Sequence, residues 1–474
     1  MARGPVIVRF GNDLRLGDHA ALRAAVAAGA PVVPVYLWSP EAAGHGSPGA
    51  AGRVFLHHCL ASLGRDLADK GSRLVLRRTD DPAATLAALC ERTGASAVYW
   101  NRRFEPDLHR LDAKVRQALV KAGIEVRDFA GQLLYEPHEV ATRAGDPYRV
   151  YTPFYRATEQ LPEPEGPRPA PSKGQFAAPP NWPDGESLDD LGLLPDHPWA
   201  EKVIGQWPVG ERPARDRLRR FCREGIFTYD AMRDRPDLDG TSQLSPHLHW
   251  GTISPRQAWA AALDARAHAR TADARKGCDT FLRELVWREF SYHVLHHFPH
   301  TPTQPLHEKF NAMPWSTDRD MLAAWQRGRT GFPLVDAGMR QLWETGWMHN
   351  RVRMVVASFL TKDLRIGWLE GARWFWDTLV DADLANNTMG WQWAAGCGAD
   401  AQPFFRIFNP TTQGKKFDPE GRYIRRWCPE LADLPDKHVH EPHKAGGDVD
   451  YPAPVVDHAE ARAAALEAFE QVKA

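Results

Sequence analysis

The sequence predicts an α/β half followed by an all-α half, and three observations carry that prediction. Over the first 130 residues, short β-branched runs alternate with amphipathic stretches, which implies a parallel sheet flanked by helices. Eight prolines between Pro162 and Pro183 then mark an extended segment. From Arg215 onward the apolar spacing is mainly helical, and thirteen of the eighteen tryptophans fall between Trp250 and Trp427. The expected organisation is an α/β domain over 1–130, a connector over 131–214 and a helical domain over 215–474, with length enough for two cores.

Strands are expected at Val6–Phe10, Val32–Trp38, Arg73–Arg77, Ala97–Trp100 and Glu125–Phe129, all short β-branched or aromatic runs. Helices are expected between them at Ala20–Ala28, Arg53–Asp69, Ala83–Arg92 and Leu108–Lys121. No Gly-x-Gly-x-x-Gly follows the first strand, which disfavours a dinucleotide site there. Tyr148–Tyr155 and Leu161–Gly185 read as extended connector, and a last short helix is expected near His458–Val472.

Formal net charge is −1, so bulk charge favours no partner. Locally, seven Arg/Lys face three Asp/Glu between Arg327 and Arg365, and six face two between Ala401 and Pro429. Such a basic face suits phosphate, although on charge alone a solvated surface laced with salt bridges fits as well. The six cysteines are scattered, without Cys-x-x-Cys or metal spacing, and read as reduced thiols of a cytoplasmic protein. Neither a signal pattern nor a membrane-length apolar run is present.

The densest chemistry lies between Gly346 and Trp393. Gly-Trp-Met-His-Asn-Arg-Val-Arg-Met, Asp-Ala-Asp-Leu-Ala-Asn-Asn and Trp-Gln-Trp put indoles, amides, arginines and two carboxylates where a core would use Leu, Ile and Val. Burying such groups is costly unless each finds a partner, so a large polar aromatic ligand held among helices is expected. Glu284, Trp287, Arg288 and Ser291 share one helix face by their spacing, and Trp347, Asn350 and Met354 share another. Thr241-Ser-Gln-Leu-Ser245 precedes Pro246 and a helix-like stretch, which fits either an anion site or an ordinary N-cap. Asp381 and Asp383 could be a metal half-site or a turn, but no further cluster completes a metal shell.

Together with Glu284-Leu-Val-Trp287-Arg288-Glu-Phe290, these motifs closely resemble the photolyase/cryptochrome flavoprotein family, and within it the class I cyclobutane pyrimidine dimer photolyases. The resemblance runs almost end to end and is dense from Gly240 to Trp427. It implies a Rossmann-like antenna domain, a helical FAD domain and a monomeric lyase. Its partner would be DNA containing pyrimidine dimers, flipped out and repaired by an electron from excited, reduced FAD. A cryptochrome photoreceptor and a (6-4) photolyase are the alternatives. Glu284, Trp287, Met354 and the lack of a long tail weigh against the first. The second usually needs a histidine pair, whereas here His349 is followed by Asn350-Arg351, with Met354 in the later position.

Residue by residue, the resemblance implies that Thr241, Ser242, Gln243, Leu244 and Ser245 wrap the FAD phosphates and that Tyr229 contacts the flavin. Asp381 would pair with Arg353, Asp383 would contact the flavin and its ribityl chain, and Asn387 would face N5, with Asn386 the adjacent possibility. Trp287 would stack on the dimer and Met354 pack against it. Glu284 and Asn350 would hydrogen-bond its polar edges, with burial favouring a protonated Glu284. DNA contacts are expected from Arg233, Arg288, Ser291, Arg351 and Thr412, with Lys415 and Lys416 nearby. Trp391, Trp368 and Trp315 would relay electrons from flavin to solvent. The family also carries an antenna chromophore, methenyltetrahydrofolate or a deazaflavin. His45 lies near a folate-contacting histidine, but the Asn-Glu pair around Asp107–Leu108 and the lysine after Pro299 are missing. Arg9 and Gly11 also replace a Trp and an Arg of the family's first strand.

Overall fold

The computed structural model describes residues 4–446 and 449–472. Strands β1 (Val6–Phe10), β2 (Val32–Trp38), β3 (Val75–Arg78), β4 (Ala97–Asn101) and β5 (Glu125–Phe129) form a parallel sheet in the order β3-β2-β1-β4-β5. β1 and β4 are buried throughout, as expected of central strands covered on both faces, whereas β5 is an edge strand with exposed positions. The expected helices appear at Ala20–Ala27, Ala50–Asp69, Pro82–Thr93 and Pro106–Lys121. Three of them start earlier than the apolar spacing suggests, two because Pro82 and Pro106 occupy the first helical position, where a missing N–H costs nothing.

The unusual Arg9 on β1 is accommodated by its neighbours. Its guanidinium donates to Asp112 at 2.6 Å and lies 4.5 Å from the Trp100 ring centroid, so a buried charge is both paired and stacked.

The connector departs from the expectation of an extended chain. Tyr151–Thr158 is helical and buries Tyr151, Phe154 and Thr158, and Trp199–Ile204 forms a second short helix. Tyr151, Phe154 and Thr158 recur at i, i+3 and i+7, a helical stripe that the nearby prolines masked. The proline-rich stretch itself is irregular and strapped to the α/β domain, where Val32 N–H donates to Ala177 O and Glu186 N–H to Leu76 O.

The helical half is built around the long helix Ala272–His297. Against it and one another pack Pro333–Thr345, Asn350–Ser358, Trp368–Thr378 and Leu384–Ala395, and the chain closes with His458–Glu470. The halves are joined by buried polar contacts: Glu211 accepts from the backbone N–H groups of Leu16 and Gly17, and Arg15 donates to Gly251 O. Among the described residues, no helix is long and apolar enough to cross a membrane.

Candidate functional site

Local rules set the site's scaffold. Gly346 ends its helix in a left-handed turn at φ 65°, and His349 caps the next by accepting the Arg351 N–H. Asp383 caps Leu384–Ala395 by accepting the Asn386 N–H at 2.9 Å. These caps place Asn350 and Asp383 at helix starts beside a common space.

That space is a cavity of about 420 Å³, within the range of small-molecule and cofactor sites. Glu284, Trp287, Arg288 and Ser291 line it from the long helix, and Asn350, Arg353 and Met354 from a second. Asp381, Asp383, Asn386, Asn387, Met389 and Trp391 complete the wall. Both predicted helix faces thus meet around one cavity.

Its polar groups are held by named partners. Asp381 accepts twice from Arg353, at 2.8 and 3.1 Å, while the Arg353 Nε–H donates to Met348 O. Asp383 accepts from the Tyr292 hydroxyl at 2.5 Å and from the Asn386 side-chain amide at 2.8 Å. Burial alone would raise the Asp383 pKa, but His249, Arg288 and the Tyr292 hydroxyl overcome it and hold the carboxyl well below its ordinary range. Asn387 donates one of its two amide N–H groups to Ala372 O at 3.0 Å, which fixes the side chain and leaves Oδ1 without a protein partner among the described residues. Trp391 is 2% exposed, yet its indole N–H finds no partner among the described residues. Gly390 adds further room, since a Cβ there would meet nothing within 4 Å. An unpartnered donor, two anchored carboxylates, fixed amides and free space suit the polar edge of a flavin.

Two expectations need correction. Arg288 is not an outward phosphate contact: it is buried, donates to Gln132 O at 3.0 Å and Glu289 at 3.2 Å, and stacks over Tyr292. The burial expected to favour a protonated Glu284 is not found: its carboxylate is only half-buried and is ion-paired with Arg233, which follows the short helix Tyr229–Met232. Ser291 lines the cavity with its hydroxyl donating to Trp287 O at 3.0 Å.

The remaining predicted residues fall around this centre. The Trp347 indole N–H donates to Ser245 Oγ at 3.2 Å, and Gln243, at φ 49°, accepts from Arg217 at 2.9 Å. Thr241 and Ser242 are half-buried beside buried Leu244, and the helix that follows is only Ser245–His249. Tyr229 is buried edge-on against Phe281, with Arg233 over its ring. Arg351 pairs with Asp234 at 2.7 Å and stacks on Phe417, joining the basic helix Pro410–Phe417 to the Asn350 helix. Thr412, Lys415 and Lys416 are exposed on that helix, with Lys415 paired to Glu441.

The three tryptophans lie along the helix Trp368–Thr378. A Cβ at Gly371 would fall 2.1 Å from Trp391, and one at Gly367 would fall 3.5 Å from Trp315. Trp391 and Trp368 are buried, whereas Trp315 is partly exposed. Trp325 and Phe375, which sequence reasoning passed over, brace Trp391 edge-on at 6.0 and 4.9 Å. It also passed over Tyr151, stacked behind Trp287 at 3.6 Å.

In the α/β half, a small cavity of about 50 Å³ opens at the carboxyl ends of the strands, lined by Asn12, Tyr36, Trp38, Arg103 and Glu105, with Trp376 from the helical half. His45 lies outside it, exposed, with its ring nitrogen 3.0 Å from Asp107.

Residues 6–172 match the family model for DNA photolyase, and 281–471 match that for the FAD binding domain of DNA photolyase. The helical half is therefore an FAD-binding domain. A deoxyribodipyrimidine photo-lyase of Agrobacterium fabrum is 47% identical, aligned over 99% of this chain and 98% of that protein. Cryptochrome-1 of Arabidopsis thaliana is 37% identical over 99% of this chain and 70% of its own length. The crystal structure of a bacterial class III photolyase from Agrobacterium tumefaciens superposes with TM-score 0.94 at 47% identity, covering all of this chain and 98% of the other. The class in that description differs from the class I resemblance of the motifs.

Proposed function

The chain belongs to the DNA photolyase family, and from that premise we propose that it is a light-driven lyase that splits cyclobutane pyrimidine dimers in DNA. One observation carries the proposal: Glu284, Trp287, Asn350 and Met354 share a single cavity with Asp381, Asp383, Asn387 and Trp391. A damaged-base pocket and a flavin pocket so joined would let donor and acceptor share one space.

When bound, reduced FAD supplies the photoexcited electron that opens the two intradimer C–C bonds and takes it back afterwards. The chain's own groups bind and orient. Trp287 offers an indole face for stacking to a flipped base, and Met354 packs beside it. The Asn350 amide, 3.9 Å from Met354 Sδ, is placed to donate to a pyrimidine carbonyl, where charge develops. Glu284, anchored by Arg233, accepts from an imide N–H. Asp383 and the fixed Asn387 amide meet the flavin's polar edge, and the Arg353–Asp381 pair closes that wall without an uncompensated charge. Arg233, Arg351 and Thr412 contact the phosphates, with Lys415 and Lys416 adding positive charge. Trp391, Trp368 and Trp315 would form an oxidisable file leading from solvent toward bound FAD, through which an electron could enter to reduce it. The protein works in the cytoplasm, in keeping with six unpaired cysteines, and joins the nucleoid when bound to DNA.

The test is Trp287→Ala in flavin-loaded protein, read by binding to oligonucleotides with and without one thymine dimer. Loss of one stacking partner, worth about 1–3 kcal/mol, lowers affinity for the damaged strand by roughly five- to 150-fold while flavin absorption stays unchanged. Undiminished discrimination in this variant would overturn the pocket.

A further inference from the structure

We infer that Tyr151 is a positioning residue for damaged-base recognition: it covers the rear face of the Trp287 indole, leaving the opposite face as the only one open to a flipped pyrimidine pair. The inference rests on the dimer-splitting reading above. The two rings are stacked with centroids 3.6 Å apart and planes 8° apart. Trp287 lines the large cavity, whereas Tyr151 does not, so the phenol acts through the indole and touches no ligand.

Tyr151 is itself held at both ends. Its backbone begins the helix Tyr151–Thr158, which packs on the long helix through Phe154 against Phe290. Its hydroxyl donates to Arg283 O at 2.8 Å, one residue before Glu284. Phe290 closes the side of the stack, edge-on to both rings at 5.9 and 6.0 Å. Burial, and after it the Glu284 charge, push the Tyr151 hydroxyl far above its ordinary range, so it remains a donor at any working pH. The indole therefore cannot turn without breaking a stack that the connector, the long helix and a backbone bond hold together. A ring fixed before binding loses less freedom on binding, which strengthens recognition without any new ligand contact. A segment of the connector thereby sets the geometry of the damage pocket, although its proline-rich surroundings suggest a mere tether.

The test compares Tyr151→Leu, which fills the space without presenting a ring face, with Tyr151→Phe, which keeps the ring and loses the bond to Arg283. Both are measured in flavin-loaded protein against oligonucleotides with and without one thymine dimer. Tyr151→Leu is expected to weaken binding to the damaged strand by about three- to tenfold, the scale of one aromatic pair. Binding to the intact strand and flavin absorption should not change, and Tyr151→Phe should stay within about twofold of the parent on the same scale. Parental discrimination in Tyr151→Leu overturns the inference. Equal losses in both variants also overturn it, because they assign the effect to the Arg283 bond. Should Tyr151→Leu fail to fold, Tyr151→Met supplies the same comparison. If the parent protein does not discriminate between the two strands, the dimer-splitting reading fails, an outcome distinct from failure of the Tyr151 assignment alone.

Discussion

Replacing Gly371 with alanine probes how tightly the inner tryptophan is clamped. The new methyl carbon would lie 2.1, 2.4 and 2.6 Å from three ring carbons of Trp391, where about 3.5–4.0 Å is comfortable. The indole must move by more than about an ångström to restore contact. Phe375 and Trp325 brace it within the core, so the open direction is the cavity that it lines. Overpacking costs about 1–3 kcal/mol, and alanine in a helix returns about 1 kcal/mol relative to glycine. The net effect on folding is a loss of at most about 2 kcal/mol, but the displaced ring enters the flavin space. A clash there of about 1.4 kcal/mol lowers FAD affinity tenfold. The assay is the flavin-to-protein absorbance ratio after dialysis against a series of FAD concentrations, alongside thermal melting. A variant that melts higher than the parent and keeps FAD with unchanged affinity would refute the packing argument.

Two further outcomes are expected. Trp391→Phe should slow light-driven reduction of the bound flavin by at least about tenfold, an electron-transfer step losing its nearest oxidisable indole, while protein reduced chemically beforehand repairs at the parental rate; photoreduction at the parental rate would place the relay elsewhere. Acid should destabilise the fold through His247 and His293, each pushed down to about 3, chiefly by burial and secondarily by Arg217 and His297 respectively. Unfolding lets each take up a proton below its ordinary value near 6.5, so the neutral-histidine stability present above that value is lost as pH falls toward 3, at about 1.4 kcal/mol per pH unit for each group. Denaturant melts at pH 7, 6 and 5 read this slope, and His247→Asn should remove one proton's share of it.

Much of the architecture was legible because local chemistry and tertiary structure agree. β-Branched runs became the sheet, and the i, i+3, i+4 spacing of Glu284, Trp287 and Arg288 did place them on one face. What spacing cannot show is which partner arrives from elsewhere. Arg288 looked like a phosphate contact because an arginine on a polar face usually points to water, yet the connector supplies Gln132 O and the chain neighbour Glu289 supplies a carboxylate to hold it inside. Nothing beside Glu284 in the sequence points to Arg233, its partner, because that residue follows a separate short helix, Tyr229–Met232. Tyr151 escaped notice for the same reason, since a stack against Trp287 leaves no local periodic signal beyond a short apolar stripe. Arg9 is the converse case: an odd residue in the sequence, explained by Asp112 and Trp100 once the strands are aligned.

The most direct measurement is repair of dimer-containing oligothymidine by anaerobically reduced, FAD-loaded protein under blue light, against a dark control. Recovery of intact thymine only in the illuminated sample is the predicted result. Illuminated protein with FAD bound and reduced that restores no thymine would contradict dimer splitting and turn the same cavity toward (6-4) repair or photoreception.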